Sequence, residues 1–576
     1  MPTCPYYVSV SSLAMTLAQP YAILYNKSSG GIGSTVAKKL KIQLYDTTLR
    51  DGAQRAGISF SVEDKLKITK RLSEIGIHFI EGGWPGSNPK DAEFFTRARG
   101  LNLGRATLVA FGSTRRPNAG AESNSNLGAL KESGARVVTL VGKSWDLHVT
   151  GVLQTTLKEN LRMIADSVRY IKSGGQSVFF DAEHFFDGYK RNPGYALRTI
   201  EAAAEAGAEC TVLCDTNGGT LPDEITVAVK AAKKVGIPLG IHAHNDGELA
   251  VANTLAAVEA GAIQVQGTIN GYGERSGNAN LCSIIPALKL KMGLDCISDE
   301  NLARLTDVSR YVSELANIIP DPHLPYVGAS AFTHKAGLHV SGLVKHEESY
   351  QHIDPDLVGN RSRVLVSELS GLSNITYKSR ELGLDIPQGE RARAILEQVK
   401  TLENQGFQYE GAEASFELLV RRTAPDYRPP FELVDFMVVV EKHRRTPIVS
   451  DRMEDMLSEA MVKVRVKGEV IHTVAEGNGP VNALDAALRK TLLQFYPSLS
   501  AVKLMDYKVR ILEESDGTKS QVRVLIESSD GKHDWRTVGS STNIIEASWI
   551  ALADSLEYWL LRYGLASPKK LARRSD

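Results

Sequence analysis

Ile237-Pro238-Leu239-Gly240-Ile241-His242-Ala243-His244-Asn245-Asp246 is a short apolar run ending in two histidines two residues apart. Gly236 and Pro238 punctuate its start, so it reads as a buried strand. Side chains on a strand alternate faces, and residues two apart point the same way. Two imidazoles therefore project side by side from the C-terminal end of the strand. That is a bidentate metal clamp in need of a carboxylate. Histidines satisfied within a core would give the same short motif, so the neighbouring strands decide its meaning.

Outward from this run, the chain from residue 41 alternates strand and helix signals. Strand-like runs begin near Lys41, Ile77, Arg105, Ala135, Gln176, Glu209, Ile237 and Ala262. Helical patterns lie between them at Val62–Ile75, Pro89–Arg99, Ser123–Ser133, Leu157–Ile171, Tyr195–Ala206, Asp223–Val235 and Leu249–Ala260, with another from Ala279 to Lys291. Gly76, Gly134, Gly174, Gly207, Gly236 and Gly261 follow helices, where a left-handed stop is common. Eight βα units over about 250 residues predict a (β/α)8 barrel. A doubly wound open sheet is the alternative, and eight even repeats favour closure.

Barrel strands carry reactive groups at their C-terminal ends. The first strand runs into Thr47-Thr48-Leu49-Arg50-Asp51-Gly52, where Gly52 would permit a sharp turn. Asp51 is the candidate carboxylate. Two imidazoles and a carboxylate oxygen suit Zn, Mn or Mg with open positions. The other ends bear Glu81-Gly82-Gly83-Trp84-Pro85-Gly86, Asp181-Ala182-Glu183-His184, Asp215-Thr216-Asn217-Gly218 and Gly271-Tyr272-Gly273-Glu274-Arg275-Ser276-Gly277-Asn278. Together these converge on a metal site.

Composition is that of an ordinary globular protein, 43% hydrophobic and 23% charged, and 576 residues allow several domains. Sixty-seven basic residues balance 67 acidic ones, which leaves no electrostatic footprint for nucleic acid or an anionic membrane. Five irregularly spaced cysteines argue against a disulfide framework. No apolar run reaches the roughly 18 residues needed to span a bilayer. The location expected is cytoplasmic, or an organelle if the first 40 residues are a transit segment. Those residues contain no Asp or Glu and no Arg, so a disordered extension fits them as well as targeting does. Gly30-Gly31-Ile32-Gly33-Ser34 mimics a nucleotide-binding loop, but Val36 holds the third glycine position and no βαβ unit follows at the required spacing.

Leu44–Gly52, His242–Asp246 and Gly271–Asn278, taken together, resemble the acetyl-CoA-dependent Claisen-condensing synthases. That family includes isopropylmalate, homocitrate and citramalate synthases and is related to hydroxymethylglutaryl-CoA lyase. The resemblance extends over roughly residues 41–563. The segment Glu81–Asp91 looks most like the citramalate-forming branch, whereas isopropylmalate synthases usually have a smaller Ala-Gly-Phe-Pro-type stretch there. The resemblance therefore implies an acyltransferase that condenses acetyl-CoA with pyruvate, giving (R)-citramalate and CoA for isoleucine biosynthesis. The alternative is 2-isopropylmalate synthesis from 2-oxoisovalerate. A hydroxyacyl-CoA lyase lacks the C-terminal domain, and a catalytically dead amino-acid sensor need not keep an intact site.

The same resemblance implies roles. Asp51, His242 and His244 would hold a divalent metal (Mg, Mn or Zn), with Asn278 as a further oxygen ligand. Arg50 would neutralise developing negative charge and touch substrate, Glu183 would orient substrate, and Thr216 would bind the oxo-acid carboxylate. The tyrosine that often stands two residues before the glutamate is Asp181 here. His339, in Phe332–Gly342, matches a histidine that assists proton abstraction at a partner's barrel, with Tyr350 beside it. No CoA-phosphate motif is recognisable, so loop Arg and Lys residues must serve.

The C-terminal third reads as a separate unit. A linker-like stretch at Thr423–Pro430 precedes strands at Phe436–Glu441 and Met461–Val466. Two segments then resemble one another: Val462–Val466 leads through Ala475–Val481 to a helix over Asn482–Phe495. Val522–Ile526 leads through Val538–Ile544 to a helix over Ile545–Leu560. Paired halves predict a pseudo-twofold α+β domain. It resembles the family's allosteric domain, which implies a branched-chain amino acid effector near Gly477, Gly479, Ser540 and Ser541, and a homodimer. The expected organisation is an extension over 1–40, a barrel over 41–320, helical linker subdomains over 321–430 and a regulatory, dimerising α+β domain over 431–565.

Overall fold

The computed structural model describes residues 40–384, 386, 389–441, 457–512 and 520–564. The expected extension, with its glycine-rich mimic, thus lies outside the described residues except for Leu40.

Eight parallel strands close into a barrel in sequential order: β1 (Gln43–Asp46), β2 (Phe79–Gly83), β3 (Thr107–Ser113), β4 (Val137–Lys143), β5 (Ser177–Glu183), β6 (Cys210–Asp215), β7 (Leu239–Ala243) and β8 (Gln264–Gly267). The barrel expectation holds and the open sheet is excluded, because β1 pairs with both β2 and β8. Closure brings sequence-distant ends together: Asp46 lies opposite Gly267, and His242 opposite Gln266.

Strand periodicity sorts the core into two layers. Tyr45, Val109, Val137, Phe179, Cys210, Val212 and Cys214 fill the barrel interior. Residues of the other parity, such as Leu44, Ile80, Val138, Phe180, Leu213 and Ile241, face the surrounding helices. Those helices are α1 (Val62–Ile75), α2 (Pro89–Ala98), α3 (Ser125–Glu132), α4 (Leu157–Ser173), α5 (Phe185–Arg191), α6 (Pro193–Glu205), α7 (Pro222–Ala232), α8 (Ala250–Ala260) and α9 (Leu281–Pro286). α1 starts where Ser61 and Asp64 form a reciprocal capping box, and stops at Gly76 with φ 94°. Two expectations change. Helix α5 was not foreseen: its seven residues are too few to show a helical period. The left-handed residue after α4 is Gly175, at φ 84°, whereas Gly174 stays right-handed at φ −84°.

After α10 (Asp299–Leu302) and α11 (Leu305–Leu315) comes a segment with two short paired strands, β9 (Thr333–His334) and β10 (Arg363–Val364), and helices α12 (Gly337–Lys345), α13 (Leu372–Glu381), α14 (Glu390–Asn404) and α15 (Glu413–Arg422). Ile375, Ile395, Val399, Phe416 and Val420 form its own core.

The C-terminal part contains two three-stranded antiparallel sheets, each backed by a helix: β11 (Phe431–Glu441), β12 (Leu457–Val466) and β13 (Glu469–Gly477) with α16 (Pro480–Phe495), then β14 (Lys503–Ile511), β15 (Val522–Ser529) and β16 (Asp534–Ser541) with α17 (Ile544–Trp559). The halves repeat even in detail. Thr473 Oγ1 donates to the Ala487 carbonyl at 2.8 Å, and Thr537 Oγ1 donates to the Ala551 carbonyl at 2.7 Å. The third strand of each sheet includes residues that the sequence suggested were turn, so Gly477 and Ser540 lie in strands. Hairpin pairing with the preceding strand overrides their small-residue character.

Candidate active site

The turn after β1 is built by its own side chains. Asp46, fully buried, accepts from the Thr48 N–H at 2.9 Å and the Thr48 hydroxyl at 2.8 Å. Thr48 Oγ1 in turn accepts from the Ile269 N–H at 2.9 Å, tying the turn to the end of β8. The Asp51 N–H donates to the Thr47 carbonyl at 2.9 Å. Gly52 has no left-handed backbone and opens a short 3₁₀ turn, so the expected glycine bend is not what makes this corner.

Asp51 faces both histidines. Its Oδ2 lies 3.2 Å from His242 Nε2 and 3.9 Å from His244 Nε2, and the two Nε2 atoms are 3.3 Å apart. Among the described residues, these three are the one cluster of His, Cys, Asp and Glu with ligand atoms arranged to share a metal. Hydrogen bonds behind the histidines fix the rings. His242 Nδ1–H donates to Gln266 Oε1 at 2.9 Å, and Gln266 Nε2 donates to Asp181 at 3.3 Å. The His242 Nε2 lone pair is thereby aimed at the cluster. Asn278 is buried, bridges to His244 through the backbone, and has neither side-chain polar atom hydrogen-bonded. An unbonded, buried amide beside three convergent ligand atoms is a donor set that suits a divalent cation. Gly273 and Gly277 make room for it. A Cβ on Gly273 would stand 2.3 Å from Asn278 Oδ1, and Gly277 has φ 99°.

Burial would raise the Asp51 pKa, but the Arg50 guanidinium and the His242 hydrogen bond hold it well below the carboxylate range. Burial lowers His242, yet its bond to Asp51 wins and raises it above its usual value. His244 falls to about 3, through burial and then the His242 charge.

Arg50 is equally constrained. Burial opposes its charge, but Glu81 and Asp51 more than compensate and raise its pKa. Its Nε donates to Glu81 at 2.6 Å, and its guanidinium lies 3.8 Å from the Phe111 ring centroid. Glu81 also accepts from Tyr45 OH at 2.6 Å and Thr47 Oγ1 at 2.5 Å. Sequence reading placed Glu81 at a strand end and gave it no role. It gave none to Gln266 either. Two glutamines alternating in a fully buried strand, Gln264-Val265-Gln266, were the available signal.

A cavity of about 430 Å³ opens over these groups and is lined by Arg50, Asp51, Glu183, Thr216, His242 and His244, among others. Glu183 is ion-paired to Lys143. Thr216 Oγ1 accepts the His184 N–H at 2.9 Å, leaving its own proton to donate elsewhere. Asp181 is buried on the cavity wall, and burial reinforced by Glu81 pushes its pKa up to about 7. Trp84 also lines the cavity, its indole N–H on Asn126 at 2.5 Å and its ring edge-on to Phe111. His339 and Tyr350 are not on this wall. They stack on each other with centroids 4.5 Å apart, both exposed, on and just after α12.

Three family models match the chain in series: HMGL-like over residues 41–312, homocitrate synthase post-HMGL domain-like over 326–406, and LeuA allosteric (dimerisation) domain over 410–560. An (R)-citramalate synthase of Geobacter sulfurreducens is 55% identical over 523 residues, covering 90% of this chain and 97% of that protein. The chain belongs to the (R)-citramalate synthase family. A Synechocystis (R)-citramalate synthase is 52% identical over 547 residues, covering 93% and 99% of the two chains. A probable 2-isopropylmalate synthase of Methanopyrus kandleri, at 30% over 500 residues and covering 85% and 93%, is a more distant relative. The family assignment agrees with the resemblance drawn from the three strand-end motifs.

Proposed function

We propose that this chain condenses acetyl-CoA with pyruvate and water to give (R)-citramalate and free CoA. The observation that carries the reading is the Asp51–His242–His244 cluster, with its orphaned Asn278, under a cavity walled by Trp84. A divalent ion (Mg, Mn or Zn) bound there would polarise the carbonyl of a chelating 2-oxo acid. Asp51, His242, His244 and Asn278 are the residues to hold it. Thr216, its oxygen already occupied by the His184 N–H, donates its proton to the oxo-acid carboxylate. Glu183, held by Lys143, orients the substrate. Arg50, kept cationic by Glu81, faces the thioester oxygen and stabilises negative charge as the acetyl methyl loses its proton. Thiol release from acetyl-CoA with a panel of 2-oxo acids tests the reading. A preference for 2-oxoisovalerate over pyruvate would replace it with the isopropylmalate alternative.

Trp84 is the proposed selector for pyruvate. Its ring is pinned by Asn126 and Phe111, so it cannot swing aside for a branched side chain. Trp84→Ala should raise kcat/KM for 2-oxoisovalerate relative to pyruvate by roughly 10–200-fold, the range for a methylene or so of pocket space. An unchanged ratio would remove Trp84 from substrate selection.

The enzyme acts as a homodimer in this reading, and the exposed His339–Tyr350 pair, flanked by exposed Leu338 and Val344, reaches a partner's cavity to assist proton abstraction. Among the described residues no helix is long and apolar enough to cross a membrane, and we place the enzyme in the cytoplasm. The paired C-terminal halves bind isoleucine near Gly477, Gly479, Ser540 and Ser541 and lower the rate. Gly479 gives the cleanest test, because nothing lies within 4 Å of a Cβ added there and its backbone is extended. Ser540 instead bonds the Gln405 carbonyl at 2.9 Å, and Ser541 bonds Glu546 at 2.5 Å, so changes there also disturb packing. Gly479→Asp should relieve isoleucine inhibition by about 5–150-fold in half-maximal concentration, the usual span of allosteric coupling. Inhibition curves that superimpose on the unmodified enzyme would sink this placement of the effector.

A further inference from the structure

Thr216, the proposed donor to the oxo-acid carboxylate, is held by groups that no step of the reaction uses. Its carbonyl accepts from the Arg275 guanidinium at 2.7 Å, and its hydroxyl oxygen accepts from the His184 N–H at 2.9 Å. The peptide between Glu183 and His184 is fixed on its other side too, because the Glu183 carbonyl accepts the Ser144 N–H at 3.0 Å. One peptide group therefore joins the chain leaving β4 to the chain leaving β6. His184 itself is left-handed, with φ 56° and ψ 34°, between the end of β5 and the start of α5. Residues other than glycine seldom adopt that conformation, and it persists where the surroundings over-determine it. Here they do. The His184 ring is buried, its centroid 4.2 Å from that of His148 and 5.7 Å from that of Trp145. His148 opens a single π-helical turn, His148–Val152, of a kind that recurs at functional sites. On the other side of the ring, Asp187 Oδ2 lies 3.3 Å from His184 Nδ1 and accepts from Asn217 Nδ2 at 3.0 Å. One carboxylate thus ties the His184 ring to the residue that follows Thr216. Gly188 lets α5 close on this corner: its N–H donates to the His184 carbonyl at 2.9 Å, and a Cβ added to it would stand 2.4 Å from the Ser144 carbonyl.

We propose that His184 is a positioning residue for the 2-oxo acid: its ring is clamped by Trp145, His148 and Asp187, so that its backbone N–H occupies the Thr216 oxygen and turns the Thr216 proton into the cavity. A backbone N–H can only donate, so the Thr216 proton cannot lie along that contact and is left for an acceptor elsewhere. Thr216 lines the cavity, where an anionic carboxylate is such an acceptor. A donor whose direction is set beforehand needs no reorganisation when the substrate arrives. Arg275 fixes the threonine backbone and His184 its hydroxyl, so neither turns without breaking a bond. His184 touches no substrate and acts through Thr216. The inference rests on the role given to Thr216 under the proposed function and adds the group that aims it.

Steady-state kinetics of the full chain test this, with KM measured separately for pyruvate and for acetyl-CoA. His184→Ala should raise the KM for pyruvate by about tenfold, the low end for a hydrogen bond to a charged group, and leave that for acetyl-CoA unchanged. His184→Asn should recover most of the loss, because asparagine enters the left-handed region readily. Thr216→Val should raise the same KM, and adding His184→Ala to it should cost little more, since changes that act through one contact are not additive. A merely structural role would move both KM values, or would keep its full effect in the Thr216→Val background; either result overturns the proposal. So does His184→Asn performing no better than His184→Ala. If His184→Ala does not fold, Asp187→Ala takes its place at the partly exposed end of the clamp, and an unchanged KM for pyruvate there overturns the proposal. A KM raised by Thr216→Val but unmoved by His184→Ala leaves the proposed function standing without this inference. A preference for 2-oxoisovalerate replaces the substrate, and the same KM comparisons made with that acid decide the role of His184. If no 2-oxo acid releases thiol from acetyl-CoA, the proposed function and this inference fall together.

Discussion

His242→Ala and His244→Ala should each lose bound metal and lower turnover by at least about a hundredfold, more than the 10–100-fold typical of disturbing a ligand's outer partners. Each removes one of two nitrogen donors in a cluster whose ligand atoms lie within 4.8 Å of one another. The folds should persist, because both changes relieve a crowded, buried cluster in which Asp51 raises the His242 pKa and burial, then the His242 charge, lowers that of His244. Metal analysis of the purified proteins, beside thiol-release rates, checks this. Full metal occupancy in both variants would contradict the ligand assignment.

Arg50→Ala should nearly abolish turnover, since a preorganised cationic donor in a dry site commonly contributes about 10²–10³-fold. It should also destabilise the protein. Arg50 is the cation that neutralises Glu81, which is wholly buried between Tyr45 and Thr47. Leaving a buried charge without its partner costs about 3–5 kcal/mol. The pair Arg50→Ala and Arg50→Ala/Glu81→Gln separates the two effects. The double variant should recover most of the lost thermal stability while its rate stays low. A double variant that regained the rate would show that Arg50 acts only as a structural counter-ion.

The fold and much of the candidate site were legible because both follow from short-range rules. Eight strand runs separated by amphipathic helices give a barrel, and a barrel presents its strand ends on one rim, so Asp51, His242 and His244 could be grouped before any coordinates. What stayed hidden depends on register across the closed sheet. Gln266 matters because it lies opposite His242, and Glu81 because β2 adjoins the first strand. Neither pairing has a local signature. In the C-terminal halves the repeated pattern was visible, but the ends of the third strands, from Ala475 and Val538 onward, read as turn where Gly and Ser are frequent.

The C-terminal sheets leave many apolar side chains uncovered in a single chain: Leu433, Met437, Val439, Leu504, Met505, Val509 and Ile511 are all exposed. Exposed apolar side chains in such number on a folded domain suit a surface that another surface covers. In a homodimer that burial enters the law of mass action, so the folded state gains free energy with each increase in protein concentration. The melting temperature of such an enzyme is then a function of dose as well as of sequence. For such a dimer, a dilute assay and a concentrated melting experiment would sample different populations of the same molecule.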